Sequence, residues 1–543
     1  MNDGLTLYQS LKKVALAYPD NTAIFYMNNR ISFKRFLNHI DVWASILQND
    51  FNIKKGDSVL ISLPNIPQTL ILFYAINKIG AISNMVHPYT PFETMQRYYT
   101  EDHCKVAFLF DRRLNRDIKS YKQFDGHIVI CNYESYLPIR TKSFVYMTAH
   151  RSYKRLSKNT TFSFYDRFKD NHQECVEYPL KDDELAVLLH SASTTGDSKT
   201  IMLGARSFNF TASKVPEVMC MSEEELLGKT MISLLPSFHG FGLCMTMHAP
   251  LVNGFTVALM PRFSTYQIAR IMRKTKSVIS ICGVPSVFRA LLLDGTFISS
   301  KYVKTLRSCF SGGDSLPTTI KENFDALMIK KGSSCRLFEG YGLTEALSVC
   351  AVNTHRHHKL GSVGYPLSEI EFKIIDQSNN ECEVKQVGEI CIKCKNNMLG
   401  YYKDEEGTKK AYWGEYLKTG DLGYVDEDGF IYFSGRKKRV IKVSGVAVFP
   451  NEIEELISHI PGVKGVCAIQ IPDEKLIHAV KVFVVSDNHN PEIILEECRR
   501  HLISWAIPKE VEYVSKLPMT KFKKVNFQKL QEQENINRGI SSN

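Results

Sequence analysis

Through its first half the chain alternates short apolar runs with amphipathic stretches, the layout of a layered α/β protein. Ala23-Ile-Phe-Tyr26, Ser58-Val-Leu-Ile-Ser62, Val106-Ala-Phe-Leu-Phe110 and Ile128-Val-Ile130 read as strands, and Thr230 to Leu235 and Phe255 to Leu259 repeat the signal. The longest apolar run, Thr69 to Ile82, is interrupted by Lys78 and Gly80. It predicts a buried helix, being shorter than the roughly 18–20 residues of a membrane span. Between Gly388 and Phe433 the pattern changes to short strands separated by polar turns such as Asp426-Glu-Asp-Gly429. It changes again after Gly435. Asn451 is placed to cap a helix whose apolar face is Ile453, Leu456, Ile457 and Ile460, and Pro461-Gly462 ends it. Strands at Val466–Ile471 and Ala479–Val485, a helix near 491–502 and a strand near Val511–Val514 complete a small α+β unit. The pattern predicts a large unit over residues 1–435 and a small one over 436–543, with 535–543 as a frayed tail.

Length agrees with that division, since 543 residues exceed one ordinary hydrophobic core. The balance of 44% hydrophobic and 23% charged residues is that of a globular protein with a polar surface. The first residues, Met-Asn-Asp-Gly-Leu-Thr-Leu-Tyr, lack the basic and apolar regions of a secretion signal, so a cytoplasmic protein is expected. Fourteen cysteines are scattered, and the close pair Cys391 and Cys394 has no second pair or clustered histidine beside it. Free thiols in a reducing compartment are expected, rather than a zinc site. The net charge of +11 thickens near Lys437–Lys442 and Lys521–Lys524. Such charge attracts polyanionic ligands. Nucleic acid is not an expected partner, because no recognition motif accompanies the charge.

Five polar motifs follow one another in a fixed order: Ser191-Ala-Ser-Thr-Thr-Gly-Asp-Ser-Lys-Thr200, Phe338-Glu-Gly-Tyr-Gly-Leu-Thr-Glu345, Thr419-Gly-Asp421, Gly435-Arg-Lys-Lys-Arg-Val-Ile-Lys-Val-Ser-Gly445 and Leu517-Pro-Met-Thr-Lys-Phe-Lys-Lys-Val525. The set, spanning nearly the whole chain, resembles the adenylate-forming superfamily, and within it the medium- and long-chain acyl-CoA synthetases. That resemblance implies an α/β fold with a large N-terminal domain of layered β-sheets flanked by helices, ending in a small barrel-like part. A small mobile C-terminal α+β domain is implied to follow it as a lid. The chemistry explains why the residues recur. A carboxylate is a poor acylating agent, because its leaving group would be oxide. Attack on the α-phosphate of ATP makes an acyl-AMP with a good leaving group, so the site must hold phosphates, Mg2+, ribose and adenine.

By resemblance, Ser191 to Thr200 is the phosphate loop, with Ser191, Thr194, Thr195, Gly196 and Lys199 as its binding groups. The family usually has Gly where Ser193 and Thr200 stand, and Pro where Ser198 stands. Gly312 and Gly313, in Ser311-Gly-Gly-Asp-Ser-Leu-Pro317, match the loop that accommodates the adenine. Gly340 opens the adenylate motif, in which Tyr341 is implied to pack on the adenine, Thr344 to bond the α-phosphate and Glu345 to hold Mg2+. Asp421 matches the aspartate that accepts both ribose hydroxyls, and Arg436 an arginine beside ribose and phosphate. Lys438 stands at the hinge about which the lid turns between half-reactions, and Lys442 and Gly445 in the segment facing the site during thioester formation. Lys524 matches the lysine that bridges carboxylate and α-phosphate as negative charge builds, with Lys523 in place of the usual Gly. As simple alternatives, Lys438 and Lys442 are solvated surface charges.

For the acid, the resemblance implies an open pocket. Acetate-specific relatives carry Trp at the position of Gly342, and amino-acid-activating relatives an aspartate where this chain has His239, in Pro236-Ser-Phe-His-Gly-Phe-Gly242. A long or bulky acid with an uncharged tail is therefore expected, and His239 is either a wall residue or a substrate contact. The implied activity is ATP-dependent activation of a small-molecule acid and transfer to coenzyme A. The alternatives are an acyl carrier protein as acceptor, or a member that binds nucleotide or acyl ligand without turnover. Luciferase-type oxidation is a remote fourth.

Overall fold

The computed structural model describes residues 4–114, 118–138, 162–168, 174–178, 181, 183–190, 199–444, 446–473, 476–519 and 525–539. The helix expected at the longest apolar run is Pro67–Lys78, and all twelve of its residues are buried. A helix apolar on every side has to sit inside the protein. At its end the Lys78 ammonium reaches Asp41 at 2.8 Å, which lets a lysine close an otherwise apolar helix. Around this helix pack Leu7–Ala17, Phe33–Asn49 and Ala205–Ser213, in one cluster with both large sheets.

Among the described residues the first large sheet has nine strands. Val278–Gly283, Ser308–Ser311 and Arg336–Tyr341 lie in parallel at its functional end, with Thr230–Ser233, Thr256–Leu259 and Thr22–Tyr26 beyond them. Parallel strands deliver the loops that follow them to one edge, and ligands of such sheets bind outside the carboxyl ends. Two motif segments leave from that edge: Ser311–Pro317 and Gly340–Glu345. The second sheet has eight described strands, among them Cys104–Phe110, Ser58–Ser62, Ile82–Met85 and Leu185–His190. Leu185–His190 runs antiparallel to Thr200–Gly204, which pairs in turn with Gly400–Tyr401. A third, antiparallel sheet contains Gly388–Lys393, Tyr416–Val425 and Ile431–Arg436, and carries Asp421.

Buried members of the large core run from Leu7 to Ile431, and those of the C-terminal core begin at Ile441. The C-terminal unit is an Ile441–Val443/Val446–Val448 hairpin, a Pro450–Ser458 helix and a sheet of Val463–Asp473, Ile477–Ser486 and Glu510–Tyr513. Two features differ from the sequence expectation. The first helix starts at Pro450, whose ring suits the first helical position, so Asn451 lies inside the first turn and accepts from Arg439 at 3.0 Å. The expected frayed tail begins later, because a helix runs over Phe527–Asn537. Glu534 on it is buried and takes two 2.9 Å hydrogen bonds from Lys481, which holds the segment down.

The two units touch through polar contacts. Glu455 accepts from the Thr318 N–H at 3.2 Å and from its hydroxyl at 3.3 Å, at the start of the Thr318–Lys330 helix. Lys437 pairs with Glu389 at 2.6 Å, and Arg289 donates to the Lys464 carbonyl at 3.2 Å.

Candidate active site

The Ser191–Thr200 segment connects two antiparallel strands, and His190 and Thr200 are cross-strand partners at its two feet. Ser191, Thr194, Thr195 and Gly196 lie outside the described residues. The feet are held by a polar network. His190 Nε2 is 2.7 Å from Asn84 Oδ1, and its Nδ1 is 3.1 Å from the Thr200 hydroxyl. Asn84 spends its amide on Asp102 at 2.7 Å, so its oxygen is the acceptor and His190 carries the proton on Nε2. Nδ1 then accepts from Thr200. Burial lowers the His190 pKa to about 3, with Arg97 adding to the effect, and burial pushes the Asp102 carboxyl up to about 6. Tyr98 stacks on the imidazole with centroids 3.9 Å apart. Thr200 departs from the family's glycine, and its hydroxyl engages this histidine. None of Asn84, Tyr98, Asp102 and His190 belongs to a motif. Their only signal in the sequence is that His190 abuts one.

Lys199 lies beside the network, its ammonium 4.0 Å from the centroid of the Tyr401 ring. The same tyrosine donates from its hydroxyl to Glu345 Oε1 at 3.3 Å. Burial and the Glu345 charge raise the Tyr401 pKa, which keeps the hydroxyl a donor. The Glu345 carbonyl accepts from Met398 N–H at 2.6 Å. Tyr401 therefore joins the end of the phosphate loop to the end of the adenylate motif. Sequence reasoning missed it, because it stands in a short edge strand with no motif around it.

The adenylate motif leaves its strand as a turn that closes on itself. Thr344–Ala346 is one turn of 3₁₀ helix, followed by left-handed residues at Leu347 (φ 37°) and Ser348 (φ 85°). Cys350 N–H returns to the Tyr341 carbonyl at 2.8 Å. The turn is so tight that a Cβ at Gly342 would fall on the Ser348 carbonyl oxygen. The turn as it stands has no room for any side chain at 342, so a Trp there would move the turn as well as narrow the pocket and cannot serve as a clean probe of it. Gly312 lies close by: a Cβ on it would be 3.2 Å from the Phe241 ring and 3.3 Å from the Gly340 carbonyl, and Gly313 has φ +77°.

Phe241 opens a π-helix, Phe241–His248, directly after the Pro236–Gly240 segment. Asn65 pins that segment. Its amide donates to the Ser233 and Leu235 carbonyls at 3.2 and 2.9 Å, and its oxygen accepts from Ser237 N–H at 3.1 Å. His239 is half-buried with its ring 4.8 Å from Phe238, and a Cβ on Gly240 would lie 3.4 Å from Leu347. The Pro236–Gly240 segment and the turn after Tyr341 are thus neighbours.

On the far side of the turn, the Tyr341 hydroxyl donates to Asp421 Oδ2 at 2.8 Å, and Arg436 Nε lies 2.8 Å from Oδ1. Burial, then the charge of Asp421, drives the Tyr341 pKa far above its usual value. Asp421 is 2% exposed while the Arg436 side chain is 64% exposed. Of the two partners, Arg436 is the one open to solvent. Asp421 owes its position to Thr419, whose hydroxyl donates to the Ile390 carbonyl at 2.8 Å and accepts from Asp421 N–H at 3.1 Å.

Lys442 is exposed on the first strand of the C-terminal hairpin, and its carbonyl faces His478 Nδ1 at 3.2 Å. Lys438 belongs to the short turn Lys437–Arg439. Its side chain, Gly445 and Lys524 lie outside the described residues.

Comparison with known proteins adds an independent line. Residues 11–402 match the family described as AMP-binding enzyme, and residues 452–524 its C-terminal domain. A long-chain-fatty-acid–CoA ligase of Bacillus subtilis is 28% identical over 546 residues, covering 98% of this chain and 96% of the relative. A probable 4-coumarate–CoA ligase of Dictyostelium discoideum is 28% identical over 86% of this chain and 82% of its own. Among solved structures, an anthranilate CoA ligase in complex with anthranoyl-AMP aligns with a TM-score of 0.82 at 19% identity over 98% of both chains. The o-succinylbenzoate CoA synthetase of Bacillus subtilis aligns at 0.78, with 21% identity over 96% of this chain and 97% of its own.

Proposed function

The chain belongs to the AMP-binding enzyme family, and on that premise we propose that it is an ATP-dependent acid–thiol ligase for a hydrophobic, medium- or long-chain carboxylic acid. The carboxylate oxygen attacks the α-phosphorus of ATP, the bond to the β-phosphate oxygen breaks, and pyrophosphate leaves. The thiol of coenzyme A then attacks the acyl carbon and AMP departs. The observation that carries this reading is the junction at Tyr401 and Tyr341. Through it Lys199, Glu345, Asp421 and Arg436, four charged groups from a loop foot, a turn and two paired strands, gather about one glycine-rich segment.

In this reading the main-chain and hydroxyl groups of 191–196 and the Lys199 ammonium receive the phosphates. Thr344 bonds the α-phosphate, and Gly312 and Gly313 let the adenine approach the backbone. Asp421 takes the ribose once Arg436 releases it. Glu345 suits Mg2+: it is an oxygen donor of the kind that cation prefers, and Tyr401 occupies only one of its two oxygens at 3.3 Å. When bound, the ion would neutralise phosphate charge. Lys524 stabilises the charge that grows between carboxylate and α-phosphate, and the C-terminal unit then turns about Lys438 to bring Lys442 and Gly445 to the site. The domain division lies near residue 435, where the large core ends and the small one has not begun. The acid's chain length is drawn from the name of the Bacillus relative and from His239, which offers no fixed negative charge for an ammonium substrate.

The test is pyrophosphate release with ATP, Mg2+ and acids from acetate to C18 plus aryl acids, without thiol, alongside Lys524→Ala. Acid-dependent release that is lost in the variant is the expected result, and the acid preferred names the class. Silence across the panel, with ATP still bound by calorimetry, overturns the ligase reading in favour of a binding protein. Offering coenzyme A and an acyl carrier protein in competition then identifies the thiol.

A further inference from the structure

At the opposite end of the strands that feed the adenylate loops lies a cavity of about 600 Å³, lined by Arg307, Lys321, Arg336, Phe338, His355 and His358. Arg307 immediately precedes the Ser308–Ser311 strand, and Arg336 opens the Arg336–Tyr341 strand. Arg336 is five residues before Tyr341, so at about 3.3 Å per residue roughly 16 Å of strand separates it from the adenylate turn. A molecule bound between these arginines is no reactant of the adenylation step.

The lining is built for an anion. It holds three cations and one carboxylate, Asp325, and that carboxylate is already engaged. Its Oδ2 takes the Lys321 ammonium at 2.8 Å and its Oδ1 the Leu337 N–H at 2.8 Å. Among the described residues the two guanidiniums donate only to backbone carbonyls. Arg307 donates to Cys220 at 3.3 Å and Arg336 to Cys335 at 3.0 Å, and among the described residues neither pairs with a carboxylate. Arg307 Nε is buried with no acceptor among the described residues. A guanidinium has five donors, and a buried hydrogen bond left unmade is costly, so this lining favours a ligand that supplies acceptors in pairs. Phosphate oxygens match that fork. One wall is aromatic: Phe338 meets His355 edge-on at 4.9 Å and His358 at 6.3 Å. His355 is fixed by the Arg307 carbonyl, 2.9 Å from its Nε2. The volume falls within the roughly 300–1,000 Å³ of small-molecule sites.

We propose that this cavity is a second anion site, taking a small phosphate-bearing molecule of the size of a nucleoside diphosphate. The strand geometry separates it from the adenylate site, and its charge and leftover donors define the ligand class.

The test is calorimetric titration of the full-length protein with ADP, run against Arg336→Gln and Arg307→Gln/Arg336→Gln. Wild type is expected to bind two equivalents, one of them weakening steeply with salt. Each variant is expected to lose that one and keep the other, while pyrophosphate release stays within twofold. Arg336 holds only its neighbour's carbonyl, so the single variant keeps the test valid if the double variant misfolds. A wild type with no steeply salt-sensitive equivalent, or one that Arg336→Gln retains unchanged, overturns the proposal.

Discussion

His190→Phe is the perturbation that asks most directly whether the feet of the phosphate loop matter to nucleotide binding. Phenylalanine keeps a flat ring against Tyr98, now stacked at 3.9 Å, but removes both of the imidazole's hydrogen bonds. Asn84 Oδ1 is left buried without a donor, at a cost of about 1–3 kcal/mol. Thr200 is half-buried and can turn toward water, so its share is smaller, and the total comes to about 2–4 kcal/mol. If about 1.4 kcal/mol of that is felt as loosening of the loop when ATP binds, the KM for ATP rises about tenfold. Steady-state kinetics in ATP, beside a thermal melt, read the two parts separately. Thr200→Val, which removes only the hydroxyl, should give a smaller change in the same direction. Lowered stability with an unchanged ATP KM in both variants would refute the reasoning and leave the network a purely structural one. The histidine also predicts an acid limit. Its folded pKa of about 3 lies below the unfolded value, so the unfolded chain takes up the proton first. Stability should fall as pH drops below about 6.5, by up to about 1.4 kcal/mol per pH unit for this group. His190→Phe should remove that part of the slope.

Three further outcomes are expected. Tyr401→Phe keeps the ring beneath Lys199 and loses the donor to Glu345; kcat should fall about three- to tenfold, the loss of one hydrogen bond of about 1 kcal/mol, with a raised Mg2+ requirement measured by metal titration. Gly342→Ala should abolish acid-dependent pyrophosphate release on short and long acids alike, because the turn must open to admit a methyl; a mere shift in acid preference would restore the pocket-floor interpretation. Glu339 sits behind the adenylate turn with its carboxyl pushed up to about 8 by burial, despite the Leu316 N–H it accepts at 3.0 Å, while Glu455 and Asp314 raise it further and Lys321 opposes them. Undocking the C-terminal unit takes Glu455 away and admits water, so the carboxyl gives up its proton more readily when undocked. Docking should then weaken as pH rises toward about 8 and level off above it, read by energy transfer between labels on the two units, and Glu339→Gln should flatten the curve.

Some of this architecture was readable in the chain because it follows from local rules. The short apolar run Ser58–Ser62 reads as a strand of a covered sheet, and the longer apolar run from Thr69 as an internal helix, found at Pro67–Lys78. Other features were hidden by the residues around them. The expected tail over 535–543 overlaps the end of a helix at Phe527–Asn537, because what holds that helix is Glu534 meeting Lys481 across 53 positions. The same applies to the site. Motif residues such as Tyr341, Glu345 and Asp421 stand out because their spacing is fixed by one turn or one strand. The residues that hold them in place are distant in sequence: Tyr401 is 56 positions from Glu345, and Asn84 is 106 positions from His190. No periodicity links such pairs, because their proximity is made by sheet register. Thr200 gives the sharpest instance. Against the family pattern it reads as a defect in a phosphate loop, yet its hydroxyl completes a hydrogen-bond chain through His190 and Asn84 to Asp102. A departure from a motif therefore says little about lost activity until the partner of the new side chain is known. Here that partner is a buried neutral histidine at the other foot of the same loop, which makes the substitution a brace.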